Sequence, residues 1–447
     1  MPSHLDRSST PDVLSALEAA WRRSDALFDT LAPGALFARP IPLRHPFVFY
    51  LGHLPAFGWN QVARGVLGEP GFAPDLDLLF ERGIDPDDAS AARAATVPAD
   101  QWPDHSEIVA YRDRVREALR DRVAAVQALP PGDPLSDGLR VYHLVLEHEL
   151  LHQETLLYML AELPDAQKRR PAGAPDPVTG PAPPAEAVAI PAGPVTLGAR
   201  FDAIPFGWDN EFPPQTVSVD RLALDRHPVT VEAFRGFAEG GGYADRALWD
   251  AAGWAWVQAE GRVRPHRWFE RDGALHHRTL YGSVPLDQVG GWPALVTAAE
   301  AEAFCRWSDA RLPTEAELRR AAYGSADGAP RAYPWGDAAP GPAHGNFGFV
   351  SDDPTPVDHH PDGDSDFGVS DLLGNGWEWT STPFLPREGF EPWMRTYPGY
   401  SADFFDGEHR VIFGGSWSTD RRLLRRSLCN WFRPRYPWVF ATFRRAW

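Results

Sequence analysis

Cysteine is scarce in this chain. Its 447 residues include two, Cys305 and Cys429. A disulfide-stapled scaffold is excluded, and a reducing compartment fits. Basic runs are missing as well. With a formal net charge of -18 and no long basic run, nucleic acid and anionic membrane surfaces are poor partners. No apolar stretch approaches the ~20 residues that span a bilayer. Met1-Pro2-Ser3-His4 does not open a basic-then-apolar signal. A cytoplasmic protein is the expectation. No internal repeat recurs at a fixed period, which speaks against a solenoid or propeller.

What is present points to more than one domain. The length suits two or three, and 43% hydrophobic residues suffice for real cores. Of 18 tryptophans, all but Trp21, Trp59 and Trp102 lie beyond residue 187, so the two ends of the chain differ in character. The 45 prolines run throughout and favour many loops.

The first third reads as helical. Thr10-Pro11 makes a cap and first-turn pair, followed by Val13, Leu14, Leu17, Ala20, Trp21 and Leu27 at helical spacing. A second helix is expected within 47–67, with Pro55 testing its continuity. A third starts near Pro103, capped by Asp104 or Ser106, and a fourth spans about 137–163. Four such helices suggest a bundle over residues 1–165. Prolines 171, 175, 177, 181, 183 and 184 mark 166–187 as a semi-rigid linker. Over 188–447, short strand-like runs such as 195–198 and 217–219 alternate with turn residues. Helices are expected there at 297–307 and 314–323. The fold class is α+β.

The fourth helix carries His148-Glu149-Leu150-Leu151-His152. Imidazoles four residues apart lie one turn apart on one helix face, which offers two nitrogens to one metal ion. Two buried imidazoles on one stripe are costly without a shared partner. A third ligand must come from elsewhere, and His53, in the apolar run Tyr50-Leu51-Gly52-His53-Leu54, is the choice. Alone it would read as a hydrogen-bonded core histidine. Glu154 is either a support for a ligand or a solvated helix charge, and His143 is taken as structural. The motif also spells His-Glu-x-x-His, the zinc-protease signature. A third histidine six residues on would fall at Tyr158, which disfavours that reading. Three histidines with open coordination positions suit Fe(II) and dioxygen, and also zinc.

Further motifs carry a resemblance. They are Asp209-Asn210-Glu211-Phe212-Pro213, His227-Pro228-Val229-Thr230, Gly240-Gly241-Gly242-Tyr243, Arg311-Leu312-Pro313-Thr314-Glu315-Ala316-Glu317 and Tyr333-Pro334-Trp335-Gly336. The most specific are Asp371-Leu372-Leu373-Gly374-Asn375-Gly376-Trp377-Glu378-Trp379-Thr380 and Gly414-Gly415-Ser416-Trp417. In this order they resemble the formylglycine-generating-enzyme-like domain, a C-type-lectin variant. Most of these residues read as architectural: Gly for turns, Trp for packing, Asn and Glu as buried anchors. The parent family holds copper with a closely spaced cysteine pair. Cys429 stands alone in that region, so that activity is not expected.

Joined to a DinB-like helical bundle, the whole chain resembles the ergothioneine/selenoneine synthase family of nonheme iron enzymes. The resemblance implies Fe(II) bound by His53, His148 and His152. The chemistry it implies is dioxygen-dependent attachment of a chalcogen to the imidazole of hercynine (N-trimethylhistidine). It places Asn430 and Trp431 against hercynine, and Tyr397 or Tyr400 as the tyrosine that supplies a proton.

Departures from the family pattern bear on the second substrate. Thiol-using relatives hold a carboxylate-bearing thiol partly through arginines. Here residues 95–103 contain none. Phe432 and Tyr436 stand where an Asp and an Arg occur in relatives using gamma-glutamylcysteine, and Leu151 replaces an amide. Arg433 and Arg435 are nearby and would serve a different pose. Lost charge-assisted bonds of about 1.5–3 kcal/mol each disfavour a charged thiol. Aromatics in their place suit a neutral sugar. The resemblance is closest to the selenoneine-forming members, which use a selenosugar (1-seleno-glucose). Three rival readings are a thiol-dependent ergothioneine synthase, a zinc hydrolase with Glu149 as base, and a non-catalytic lectin-like binder.

Overall fold

The computed structural model describes residues 10–71, 73–81, 97, 101–326 and 328–447. The chain forms two compact units. One comprises residues 1–172 together with 201–206 and 393–398, and the other comprises the remainder.

In the first unit, five helices are described: α1 (Thr10–Asp29), α2 (Phe47–Trp59), α3 (Pro74–Phe80), α4 (His105–Gln127) and α5 (Arg140–Glu162). Helix α5 packs on α1 and α2, and α2 also packs on α3 and α4. The expected cap pair at Thr10-Pro11 falls on residues whose side chains lie outside those described. Asp104 stands at the N-cap of α4 but makes no side-chain capping bond. Every residue of α2 is buried, so this helix has no solvent face. Pro55 lies inside it without ending it. Instead the helix widens into a π-helical stretch over Asn60–Val66, a form that recurs at functional sites.

The second unit is rich in loops and short strands. Its strands are β1 (Ala187–Ile190), β2 (Gly193–Leu197), β3 (Gln215–Val219), β4 (Leu222–Asp225), β5 (Trp268–Arg271), β6 (Ala274–Thr279), β7 (Gly282–Pro285), β8 (Trp377–Pro383), β9 (Arg410–Phe413), β10 (Asn430–Phe432) and β11 (Ala441–Thr442). The main sheet has the order β10-β9-β8-β11, antiparallel except for the β11–β8 pair. Strands β1 and β4, and β2 and β3, form antiparallel pairs, and β5-β6-β7 is a meander.

Four helices accompany the strands: α6 (Val231–Glu239), α7 (Ala251–Glu260), α8 (Ala298–Trp307) and α9 (Glu315–Tyr323). The last two begin with capping boxes, Thr297 with Glu300 and Thr314 with Glu317. A core of Ile190, Leu224, Leu318, Leu372 and Phe413 lies between α9 and the sheets. The proline-rich stretch is tied down in part. Trp292 Nε1 donates to the Val178 carbonyl at 2.7 Å, and Gly180 exchanges backbone bonds with Gln288 and Gly291.

The loop motifs are architectural. Asn375 adopts φ 63° and bonds both Thr355 backbone groups and Asp371. Glu378 pairs with Arg444, both with almost no exposure.

Candidate metal centre

Helix α5 runs through the middle of its unit, and its faces divide the labour. Glu149 and Gln153, four residues apart, face α1: Ser24 Oγ donates to Glu149 at 2.5 Å, and Gln153 Nε2 donates to the Ala20 carbonyl at 2.9 Å. The adjacent face presents His148 and His152. Their Nε2 atoms lie 3.1 Å apart.

His53 reaches the same point from α2. A Cβ on Gly52 would lie 2.3 Å from the Phe80 ring. The missing side chain therefore admits the end of α3 against α2. That brings the Phe80 carbonyl to 2.8 Å from His53 Nδ1. A carbonyl can only accept, so Nδ1 carries the proton and Nε2 keeps its lone pair. One ligand atom from each of His53, His148 and His152 lies within 4.8 Å of the others, and all three residues are buried.

Burial also fixes their charge. Desolvation pulls His53 down to about 4, against the Phe80 carbonyl bond that favours its protonated form. Burial, followed by the neighbouring imidazoles, holds His148 well below the ordinary histidine range. Burial, then His53 and Arg44, does the same for His152. Three neutral imidazoles that resist protonation make a donor set suited to a cation. Two nitrogens each about 2.1 Å from one ion would stand about 3.0–3.4 Å apart, as the two on α5 do. The trio thus fits a divalent transition metal with positions left open.

A cavity of about 580 Å³ opens beside the trio. Its walls include Phe57, Gln61, Arg64, Phe80, Thr396 and Tyr397. Phe57 lies parallel to the His148 ring at a centroid distance of 3.5 Å. Tyr397 meets Phe57 edge-on at 5.5 Å.

The expected residues are thus distributed between the units. Of the two candidate tyrosines, Tyr397 lines the cavity. Tyr400 belongs to the second unit, where it stacks on Trp208 at 3.9 Å and meets Trp431 edge-on. Asn430 and Trp431 lie on β10. Asn430 Oδ1 accepts from the Trp431 backbone N–H, and the Trp431 ring stacks on Phe384 at 4.0 Å. Phe432 packs against Tyr436 at 5.1 Å. Arg433 is half-buried and Arg435 exposed.

Two of the alternative readings fit the packing poorly. Glu154 is buried, so it is not a solvated helix charge. Glu149, the base required by a zinc hydrolase, instead accepts from Ser24 on α1. Sequence reasoning did not single out Phe57, Gln61 or Arg64. Phe57 sits in an all-buried helix where no apolar stripe separates a cavity wall from packing, and Gln61 and Arg64 lie on the π-helical stretch beyond it.

Comparison with known proteins agrees with both halves. Residues 16–156 match the DinB superfamily, and residues 173–447 match the sulfatase-modifying factor enzyme 1-like domain. A hercynine oxygenase of Mycolicibacterium smegmatis is 36% identical over 91% of this chain and 92% of its own. A Mycobacterium tuberculosis protein of the same name is 34% identical over the same shares. Ergothioneine biosynthesis protein 1 of Neurospora crassa is 28% identical over 99% of this chain and 58% of its own. With both domains matched and full-length relatives above 30% identity, the chain belongs to the hercynine oxygenase family of enzymes.

Proposed function

We propose that this enzyme uses Fe(II) and dioxygen to join a chalcogen to the imidazole carbon of hercynine. The convergence of three buried neutral imidazoles on one cavity, in a chain of this family, carries the proposal. Iron held by His53, His148 and His152 would supply the redox chemistry by which dioxygen takes up the electrons released as C–H and chalcogen–H bonds give way to the carbon–chalcogen bond.

The remaining work falls to the protein. The Phe80 carbonyl holds the His53 tautomer, and Phe57 fixes the plane of His148. Tyr397 Oη supplies a proton from the cavity wall. Asn430 and Trp431 bind hercynine, whose quaternary ammonium suits an aromatic face. The second substrate is a selenosugar. The support for this is chemical: Phe432 and Tyr436 offer rings where thiol-using relatives carry charges, and Arg433 and Arg435 lie between them in the chain.

The test loads the enzyme with Fe(II) under nitrogen. It then supplies air and hercynine with 1-seleno-glucose, cysteine or gamma-glutamylcysteine, and reads products by mass spectrometry. The expected result is a carbon–selenium product and little coupling of either thiol. Coupling with a thiol alone overturns the selenium assignment and keeps hercynine oxygenation. Failure to consume hercynine with any donor overturns the whole reading.

A further inference from the structure

The cavity wall that carries Tyr397 comes from residues 393–398, far in sequence from the helices that hold the histidines. Several contacts dock this segment on the first unit. Trp393 packs edge-on against Phe201 and Phe206, at 5.1 and 5.9 Å, and Met394 is fully buried. The Tyr397 N–H donates to the Met394 carbonyl at 2.8 Å, closing a tight turn. These contacts hold the segment's start, and at its far end the Tyr397 ring meets Phe57 edge-on.

A second set of contacts comes from the π-helical stretch Asn60–Val66. Arg395 Nη1 donates to the Gly65 carbonyl at 2.5 Å, and Nη2 pairs with Asp133 at 2.7 Å. A guanidinium at this end of a helix meets carbonyls that lack partners within the helix. Gln61 Nε2 donates weakly to the Thr396 carbonyl at 3.4 Å. At Gly65 the approach is very close: a Cβ there would lie 2.4 Å from Thr396 Cγ2. Any side chain at 65 pushes Thr396 away, and Tyr397 is the next residue.

We propose that Gly65 and Arg395 are positioning residues that latch residues 395–397 onto the π-helical stretch and so set the Tyr397 phenol in the cavity. The proposal rests on the reading of Tyr397 as the proton donor. Gly65 itself lines the cavity, so passage of its effect through Tyr397 is what the test must show.

The test combines Gly65→Ala, Arg395→Ala and Arg395→Lys with Tyr397→Phe. Metal-free protein labelled with 3-fluorotyrosine gives a structural readout, the 397 resonance being the one missing from Tyr397→Phe. In Gly65→Ala and Arg395→Ala that resonance shifts or broadens while the other tyrosine signals stay, and Arg395→Lys restores it. In the Fe(II)-loaded enzyme, each of the two alanine variants lowers kcat by about tenfold or more and leaves KM for hercynine unchanged. Neither lowers kcat further in the Tyr397→Phe background, as expected for residues acting through one group. An unmoved 397 resonance, or costs that multiply with Tyr397→Phe, overturns the latch. A separate result, Tyr397→Phe at full kcat with a shifted resonance in the latch variants, overturns the proton-donor reading and leaves the positioning intact. Unfolding is distinguished by the other tyrosine signals, which would all collapse together.

Discussion

Phe57 lies flat on the His148 imidazole, with ring centroids 3.5 Å apart and planes 3° from parallel. A face-to-face stack of two neutral rings is a poor arrangement. It improves when the imidazole bears positive charge drawn out by a bound cation, because the Phe face is electron-rich. The stack therefore favours the metal-loaded state. Phe57→Leu should weaken Fe(II) or Co(II) binding by about tenfold, at the low end of what groups supporting a ligand contribute. Chelator competition measures this. Unchanged affinity with an unchanged Co(II) absorption spectrum would remove Phe57 from the site.

Glu149 separates oxidative from hydrolytic chemistry. Its carboxyl accepts from Ser24 and is pushed above its ordinary range chiefly by burial. Glu149→Gln should keep metal stoichiometry and hercynine turnover within about threefold. A hydrolytic base in that position would cost about 10²–10⁴ in rate. Turnover assays with metal analysis decide the matter.

Arg444 and Glu378 test whether the loop motifs serve architecture. Arg444 Nε and Nη2 donate to Glu378 Oε2 and Oε1 at 2.6 and 2.7 Å, and its remaining N–H groups reach the carbonyls of Asp225, Arg226 and Ser370. Arg444→Met strands a buried carboxylate and three carbonyls, and should destabilise by about 3–5 kcal/mol in urea unfolding. Adding Glu378→Leu should recover part of that loss. If the double variant is no more stable than the single one, the pair is not coupled as the geometry implies.

Asp209 gives a pH signature. Burial raises its carboxyl from 3.8 to about 6, against bonds from Ser401 and the backbone that favour ionisation. Because the native pKa is the higher one, the unfolded chain ionises first. This group's contribution is present below about pH 3.8 and is lost as pH rises to about 6. Asp209→Asn lacks that loss. The variant should gain on the wild type by on the order of 2–3 kcal/mol between pH 4 and 6.5, then run parallel. Parallel denaturation curves across the whole range would refute the assignment.

The sequence made the histidine trio legible because a four-residue spacing on an apolar helix leaves few alternatives for two imidazoles. His53 followed from the apolar run around it. The helices expected at 297–307 and 314–323 are α8 and α9, each opened by a Thr-x-x-Glu box that satisfies the first amides locally. The β5–β7 meander and helices α6 and α7 were not foreseen, their short segments lacking a clear period. Nor was the choice between Tyr397 and Tyr400 open to sequence reasoning. They stand three residues apart around a turn, and only tertiary packing sends one to the cavity and the other onto Trp208. The π-helical stretch was equally hidden, because its stabilising partner Arg395 lies 330 residues away from Gly65.

That separation has a consequence during synthesis. The imidazoles have all been synthesised by residue 152, whereas Thr396 and Tyr397 of the cavity wall follow roughly 240 residues later, on the order of 10–50 s at ordinary elongation rates. Through that interval a nascent bundle would present its nitrogens without Tyr397 beside them. Ion capture can therefore precede completion of the chamber. A chimera that exchanges only the carboxyl-terminal half would inherit the ligands and most of the cavity wall from one parent, and Thr396 and Tyr397 from the other.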